Sequence, residues 1–178
     1  LITVSLLLAL IGNSADQWLQ YSRSAIMEGE WWRLISGNLL HMGWMHLFLN
    51  HAALLIIWYF SGHFLSSGTW WRAMFFCALS IGLSLFILIP ELQWYVGLSG
   101  VRHGLRAVGT VAGIAQGNRE SSLLLILLCA KVLWEQANGA LSSDMVVEGK
   151  IIVNAHLYGM VSGIAYASLR QVFLAVKS

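Results

Sequence analysis

Long apolar segments dominate this sequence and leave it few charges with which to face water. Of its 178 residues, 58% are hydrophobic and only 10% are charged, whereas soluble domains carry about 25% charged residues. That shortage argues against a cytosolic enzyme, a disordered protein and a secreted disulfide scaffold. The net charge of +2 is too small and too scattered for a surface that binds nucleic acid. We therefore expect the lipid bilayer to be the solvent of this chain.

Six segments have the apolar character of membrane spans, each of which needs about 20 residues. They run approximately over 1–12, 43–65, 70–89, 95–116, 121–138 and 151–172. The first is short, and because the chain begins without Met, the completeness of this span stays open. Only helices and closed barrels satisfy the backbone in lipid, and the segments are too long for barrel strands. The sequence therefore predicts an all-α membrane protein, a compact bundle of six transmembrane helices that forms one domain over residues 1–178. The hydrophilic stretch 13–41 is predicted to be an interfacial loop.

Basic residues near the span ends indicate the orientation of the bundle. The side that carries the N-terminus would hold four of them and the opposite side three: Arg72, Arg119, Arg170 and Lys177 against Arg23, Arg33 and Lys150. This small bias places both termini in the cytoplasm. The second, fourth and sixth spans would then begin on the opposite side of the membrane.

Three polar clusters lie at the beginnings of those same three spans, and polar groups inside spans are functional hypotheses by default because they are costly there. The clusters are His41, His46, Asn50 and His51 at the start of the second span; Gly97, Ser99 and Gly100 at the start of the fourth; and Asn154, His156, Gly159 and Gly163 at the start of the sixth. Because the three spans begin on one side, their clusters share a side and roughly a depth. We expect them to converge in one pocket.

A hydroxyl, imidazoles and an amide, with no carboxylate among them, suit acyl transfer. Ser99 would be the nucleophile and His156 the general base that activates it and later protonates the leaving amine. An oxyanion needs donors aimed at it, and the Ser99 amide, His46 and Asn50 could supply them. His46 and Asn50 are four residues apart and therefore project from one helix face.

Glycines at a spacing of four residues predict that the fourth and sixth helices approach closely, since small residues at this spacing let membrane helices pack tightly. The pairs are Gly100 and Gly104, Gly109 and Gly113, and Gly159 and Gly163. Close packing of these two helices is needed if Ser99 is to reach His156. Gly97 and Gly100, which flank the serine, would let a substrate backbone come near it.

Taken together, these motifs resemble the rhomboid family of intramembrane serine proteases. The pattern HxxxxHxxxN is met by His41, His46 and Asn50; GxSG by Gly97, Ser99 and Gly100; and AHxxGxxxG by Ala155, His156, Gly159 and Gly163. Trp32 and Arg33 look like the Trp-Arg pair that the family carries in its first loop. The motifs follow one another in the family's order, on the second, fourth and sixth spans.

The resemblance implies a Ser-His dyad without the acid of a full triad, and substrates that are transmembrane proteins cleaved within the bilayer. It also implies that substrates pass the fifth helix and the loop 139–150. The six-span form, the tandem Trp-Trp-Arg, and His103-Gly104 look most like rhombosortases. That likeness implies a bacterial inner-membrane enzyme, open to the periplasm, that cleaves GlyGly-CTERM sorting tails. His103 stands where rhomboids often have an aromatic residue against the catalytic histidine, so we expect it to stack or hydrogen-bond there.

Two arginines depart from the family pattern. Arg102 and Arg106 fall on roughly the same helical face as Ser99, where apolar residues are expected, so they need a water-filled cavity or acidic partners. The only acid inside a predicted span is Glu135, and Lys131 precedes it by four residues.

Two other functions remain open at this stage. Six histidines in or near spans fit a membrane metalloenzyme or transporter, although motifs such as HExxH are missing; we expect no metal and no cofactor. A non-catalytic relative that binds transmembrane segments is the other alternative, although such relatives commonly lose the serine or the histidine. The sequence does not indicate an oligomeric state.

Overall fold

The computed structural model describes residues 2–140 and 152–177, so the first residue of the predicted sixth span and most of the loop 139–150 lie outside the described residues. Within the described part the helices are α1 (Ile2–Ile11), α2 (Asn13–Leu19), α3 (Arg23–Met27), α4 (Arg33–Ser36), α5 (Gly43–Ser61), α6 (Ser67–Leu88), α7 (Ser99–Ala115), α8 (Arg119–Asn138) and α9 (Val153–Lys177). Single 3-10 turns follow α4 and α5, at Gly37–Leu39 and Gly62–Phe64.

Each of the six apolar segments contains a helix, namely α1 and α5 to α9, which confirms the predicted all-α membrane fold. Three stretches are long and apolar enough to cross a membrane by length and composition: Gly43–Phe64, Ser67–Leu88 and Val153–Val176. Helix α1 has 10 residues and α7 has 17. The fourth segment was predicted to start at Tyr95, but its helix begins at Ser99, because Trp94–Tyr95 form a short strand instead.

Helix α7 is the centre of the bundle and contacts α5, α6, α8 and α9. Most of its residues are buried, among them the polar His103 and Thr110. Val101, Leu105 and Val108 belong to the main hydrophobic core together with residues of the surrounding helices. A helix enclosed by protein can carry polar groups for a site because lipid does not solvate it.

The predicted close approach of the fourth and sixth helices is confirmed. A Cβ on Gly100 would lie 2.7 Å from the carbonyl oxygen of Ala155, and one on Gly159 or Gly163 would collide with the α7 backbone. Gly109 and Gly113 were also predicted to face the sixth helix, and this was wrong. A Cβ on Gly109 would meet Ser61 of α5, and one on Gly113 would meet Ser121 of α8. The reason is geometric: α7 has neighbours on all sides, so glycines farther along it face other helices.

The stretch 13–41 was predicted to be a loop, yet it is folded into α2, α3, α4 and a strand. Tyr21–Ser22 pairs antiparallel with Trp94–Tyr95, which ties this stretch to the segment that leads into α7. Arg33 is 5% exposed and donates hydrogen bonds to the backbone oxygens of Gln17 and Gln20 at 2.8 and 2.9 Å. The folded stretch 13–41 is therefore hydrogen-bonded to the strand that precedes α7.

Candidate active site

The three polar clusters meet, as predicted, at one end of the bundle. Ser99 is the first residue of α7, and His46 and His156 are the fourth residues of α5 and α9. The Ser99 hydroxyl lies 3.0 Å from Nε2 of His156. Because Gly100 and Gly159 remove side chains from the α7–α9 contact, the two backbones come close enough for this hydrogen bond.

The backbone before Ser99 is held in a conformation that favours glycine. Gly97 has a φ of 139°, its amide donates to the Gly37 carbonyl at 3.1 Å, and its own carbonyl accepts from the buried Tyr95 hydroxyl at 2.7 Å. A Cβ at Gly97 would lie 3.2 Å from Cε1 of His46 and 3.9 Å from Oγ of Ser99. The His46 ring and the serine hydroxyl therefore both lie on the side of Gly97 that a Cβ would occupy.

The proton on His46 is located by its neighbour. Its Nδ1 accepts a hydrogen bond from the Met42 amide at 3.3 Å, so in the neutral ring the proton sits on Nε2. A Cβ on Gly97 would be 3.7 Å from that nitrogen. The first amides of a helix have no acceptor within the helix, and Ser99 begins α7. Two N–H groups are thus available beside the hydroxyl.

Asn50 has a different immediate partner from the one that the sequence suggested. Its side chain is fully buried, and its amide nitrogen donates to the His46 carbonyl at 2.9 Å. Its Oδ1 has no hydrogen-bond partner among the described residues. The contact joins Asn50 to the helical turn that carries His46, and its role as an oxyanion donor stays a prediction.

His103 stacks on His156, with ring centroids 4.2 Å apart and planes 20° from parallel. It also makes hydrogen bonds: Nδ1 contacts the Ser99 carbonyl at 2.6 Å and Nε2 contacts Nζ of Lys131 at 2.7 Å. Stacking and hydrogen bonding, which the sequence left as alternatives, therefore occur together.

The expectation that no carboxylate lies in the pocket is wrong. Oε2 of Glu135 lies 2.8 Å from Nδ1 of His156 and 2.8 Å from Nζ of Lys131. The polar clusters at the beginnings of the second, fourth and sixth spans contain no acid, whereas α8 runs the opposite way and brings its C-terminal end to the same end of the bundle. The sequence feature that could have predicted this carboxylate is an acid inside a span, one helical turn after a lysine.

Arg102 and Arg106 line a cavity of about 390 Å³ between α5, α7 and α8, together with Lys131. The Nε atom of Arg102 is buried and has no hydrogen-bond partner among the residues that the structure describes. The sequence predicted either a water-filled cavity or acidic partners for these arginines, and the structure shows a cavity at this position.

The remaining histidines of the first cluster pack together. The His41 ring lies edge-on to those of His46 and His51, at 5.4 and 5.7 Å between centroids. Burial lowers the pKa of His41 to about 3, so this ring is neutral at physiological pH. Nε2 of His51 lies 2.7 Å from Oγ of Ser5 on α1. This contact between helices agrees with a structural role for His51.

A set of possible metal ligands lies in the same pocket. One ligand atom each from His103, Glu135 and His156 can be chosen so that all three lie within 4.8 Å of one another. In the present arrangement these atoms are engaged with Lys131, with Ser99 and with one another. A metal ion would therefore have to displace the lysine ammonium and break the contact between the glutamate and His156.

Comparison with known proteins agrees with this geometry. A family model described as "Rhomboid domain" matches residues 28–171. The chain is also 25% identical over 142 residues to the protein named "Putative rhomboid protease YdcA" of Bacillus subtilis (strain 168), an alignment that covers 78% of this chain and 66% of that relative. The chain thus spans slightly less than two thirds of the relative's length. With the family match extending over most of the helical bundle and its three polar clusters, this chain belongs to the rhomboid family.

Proposed function

We propose that this protein is an intramembrane serine endopeptidase in which Ser99 is the nucleophile and His156 the general base. The observation that supports the proposal most directly is the hydrogen bond of 3.0 Å between the Ser99 hydroxyl and Nε2 of His156. A serine hydroxyl is a weak nucleophile until an adjacent base takes its proton. Here hydroxyl and imidazole meet at the ends of two helices of a membrane bundle.

In this proposal the Ser99 oxygen attacks the scissile carbonyl carbon while its proton moves to Nε2 of His156. The carbonyl electrons move to the oxygen, and Nε2–H of His46 and the Ser99 amide donate to this oxyanion. Asn50 is proposed to assist from the same helix face. The intermediate collapses as the C–N bond breaks and His156 gives its proton to the leaving amine. Water then hydrolyses the acyl-enzyme by the same steps.

The substrates we propose are transmembrane segments that unwind at their ends, because a helical peptide engages its carbonyl groups in its own hydrogen bonds. Glycine near the cleavage point eases that unwinding. The likeness to rhombosortases supports GlyGly-CTERM tails as the substrates, in a bacterial inner membrane with the pocket open to the periplasm. The resemblance to the family also supports entry of the substrate into the pocket past the fifth helix, α8.

The test is labelling of the purified chain with a fluorophosphonate, which phosphonylates an activated serine: the Ser O–P bond forms as the P–F bond breaks and fluoride leaves. We expect the wild-type chain to be labelled and Ser99→Ala to remain unlabelled. Ser122→Ala, a change at an exposed position of α8, is the matched control and should label normally. Cleavage of a reporter with a GlyGly-CTERM tail should show the same pattern. Labelling that persists in Ser99→Ala would refute the assignment of the nucleophile.

Two alternatives give other results. A non-catalytic protein that binds transmembrane segments would leave the folded wild-type chain unlabelled. A metalloenzyme is favoured by the cluster of His103, Glu135 and His156. In that case the purified chain would hold stoichiometric zinc, and a chelator would abolish its activity.

A further inference from the structure

Glu135 is a buried acid that the dyad mechanism does not use. Its side chain is 3% exposed on α8, where Leu128 and Val132 are buried on the same face. Removing a carboxylate from water costs several kcal/mol unless partners compensate. The partners are the Lys131 ammonium and Nδ1 of His156, both at 2.8 Å from one carboxylate oxygen. The acid is therefore built into the pocket rather than left at its edge.

The contacts around Glu135 determine where each proton lies. Lysine only donates, so Lys131 donates both to Glu135 and to Nε2 of His103. Nδ1–H of His103 then donates to the Ser99 carbonyl at 2.6 Å.

The carboxylate determines the tautomer of His156 in the same way. Because ionised Glu135 only accepts, Nδ1 of His156 carries a proton and donates to it. Nε2 of His156 is left with a lone pair 3.0 Å from the Ser99 hydroxyl. This is the tautomer that a general base requires.

We propose that Glu135, held in place by Lys131, positions His156 and completes a Ser-His-Glu triad from the fifth membrane helix. This inference rests on the proposed function. When the Ser99 proton moves to Nε2, His156 becomes an imidazolium whose Nδ1–H already contacts the carboxylate. The interaction is stronger in that charged state than in the resting state, so it lowers the barrier. Glu135 itself gains no proton.

The charges around His156 make the role of Glu135 specific. Lys131 on α8, Arg102 and His103 on α7, and His46 on α5 also face the imidazole. These groups are cationic or neutral, so among the described residues Glu135 supplies the negative charge that stabilises the imidazolium. Lys131 offsets part of that charge while it fixes the carboxylate.

A second consequence concerns α8 itself. Leu128 and Val132 pack with Ala107 of α7 and Met160 of α9, and this packing brings Glu135 to His156. A side-chain hydrogen bond is lost once donor and acceptor are about 3.6 Å apart. The reactive arrangement therefore requires α8 to be packed against α7 and α9 at the moment of proton transfer.

The test uses the purified full chain in detergent and measures the rate constant of fluorophosphonate labelling as a function of pH. Glu135→Gln keeps the size of the side chain and removes its charge. Lys131→Met removes the opposing charge. Glu120→Gln is the matched control, since it makes the same change at an exposed position of the same helix. Thermal unfolding reports whether each variant is folded.

Activity is lost at low pH when His156 is protonated, and a negative neighbour makes protonation easier. Without that charge, Glu135→Gln should lower the plateau labelling rate on the order of 10²-fold or more and move the acidic limb to lower pH. Lys131→Met should move the acidic limb to higher pH, because the carboxylate is then unopposed. A purely structural ion pair would not produce opposite shifts. Glu120→Gln should match the wild type in both readouts.

An unchanged plateau rate and acidic limb in folded Glu135→Gln would overturn the inference while leaving the proposed function in place. If that variant does not fold, Lys131→Met decides, and an acidic limb that stays in place overturns the inference. A wild-type chain that is not labelled at all overturns the proposed function and, with it, the triad.

Discussion

Replacing Gly100 with alanine should separate the two residues of the proposed dyad without touching either side chain. The added Cβ would lie 2.7 Å from the Ala155 carbonyl oxygen and 3.0 Å from Cδ1 of Ile81, whereas ordinary contact begins at 3.4 Å. Ile81 can rotate, but the Ala155 oxygen belongs to the backbone of α9. Helices α7 and α9 must therefore move apart by about 0.7 Å at this level, as the difference between those contact distances requires.

That displacement falls beside the reacting atoms, because Gly100 follows Ser99 and Ala155 precedes His156. Added to the 3.0 Å between Oγ and Nε2, it gives a separation of about 3.7 Å, which is no longer a hydrogen bond. A misplacement of about 1 Å can cost on the order of 10² in rate. We expect Gly100→Ala to label with fluorophosphonate about 10²-fold more slowly and to lose about 1–3 kcal/mol of stability through overpacking.

The assay compares labelling rates and thermal unfolding of purified Gly100→Ala with those of Gly68→Ala. Gly68 is the appropriate control because a Cβ there would meet only the end of the Arg72 side chain, at 4.0 Å. Gly68→Ala should behave as the wild type in both measurements. A folded Gly100→Ala variant that labels at the wild-type rate would refute the view that this glycine sets the distance between Ser99 and His156.

Three further changes probe other parts of the site. His46→Ala should slow fluorophosphonate labelling about 10²-fold by removing an oxyanion donor while thermal unfolding stays similar; a wild-type rate would exclude His46 from that role. Gly97→Ala should lower both stability and labelling, since its φ of 139° and the His46 ring 3.2 Å from a new Cβ both oppose a side chain; thermal scans that overlay the wild type would contradict this. Arg33→Met should cost about 2 kcal/mol because the carbonyls of Gln17 and Gln20 lose the buried guanidinium that donates to them, with exposed Arg72→Met as the control in the same unfolding assay.

Much of the fold could be predicted from the sequence because two of its determinants are local. These are the length of each apolar segment and the hydrogen bonding of the backbone within a helix. A run of apolar residues must form a helix in lipid whatever its neighbours do, so the six segments could be located without tertiary information. The helix boundaries could not be predicted in the same way. Tyr95 pairs with Tyr21, so the chain is extended there and the helix begins only at Ser99. Pairing between distant segments is not visible in local hydropathy.

Part of the candidate active site could also be predicted from the sequence. Counting spans was enough to predict that Ser99, His46 and His156 lie at one end of the bundle, and the glycines at Gly100 and Gly159 predicted that α7 and α9 would touch. The alternation of helix direction is a property of the chain itself, so these residues could be grouped from the sequence.

Only the tertiary structure decided which other residues join them. Glu135 enters the pocket from a helix that runs the opposite way, and its 2.8 Å contact with His156 depends on how far α8 is rotated and shifted along its axis. The same rotation brings Lys131 to His103. Packing between helices fixes such rotations. Hydropathy does not reveal them, because a buried acid has the same hydropathy whether or not other helices supply partners for it.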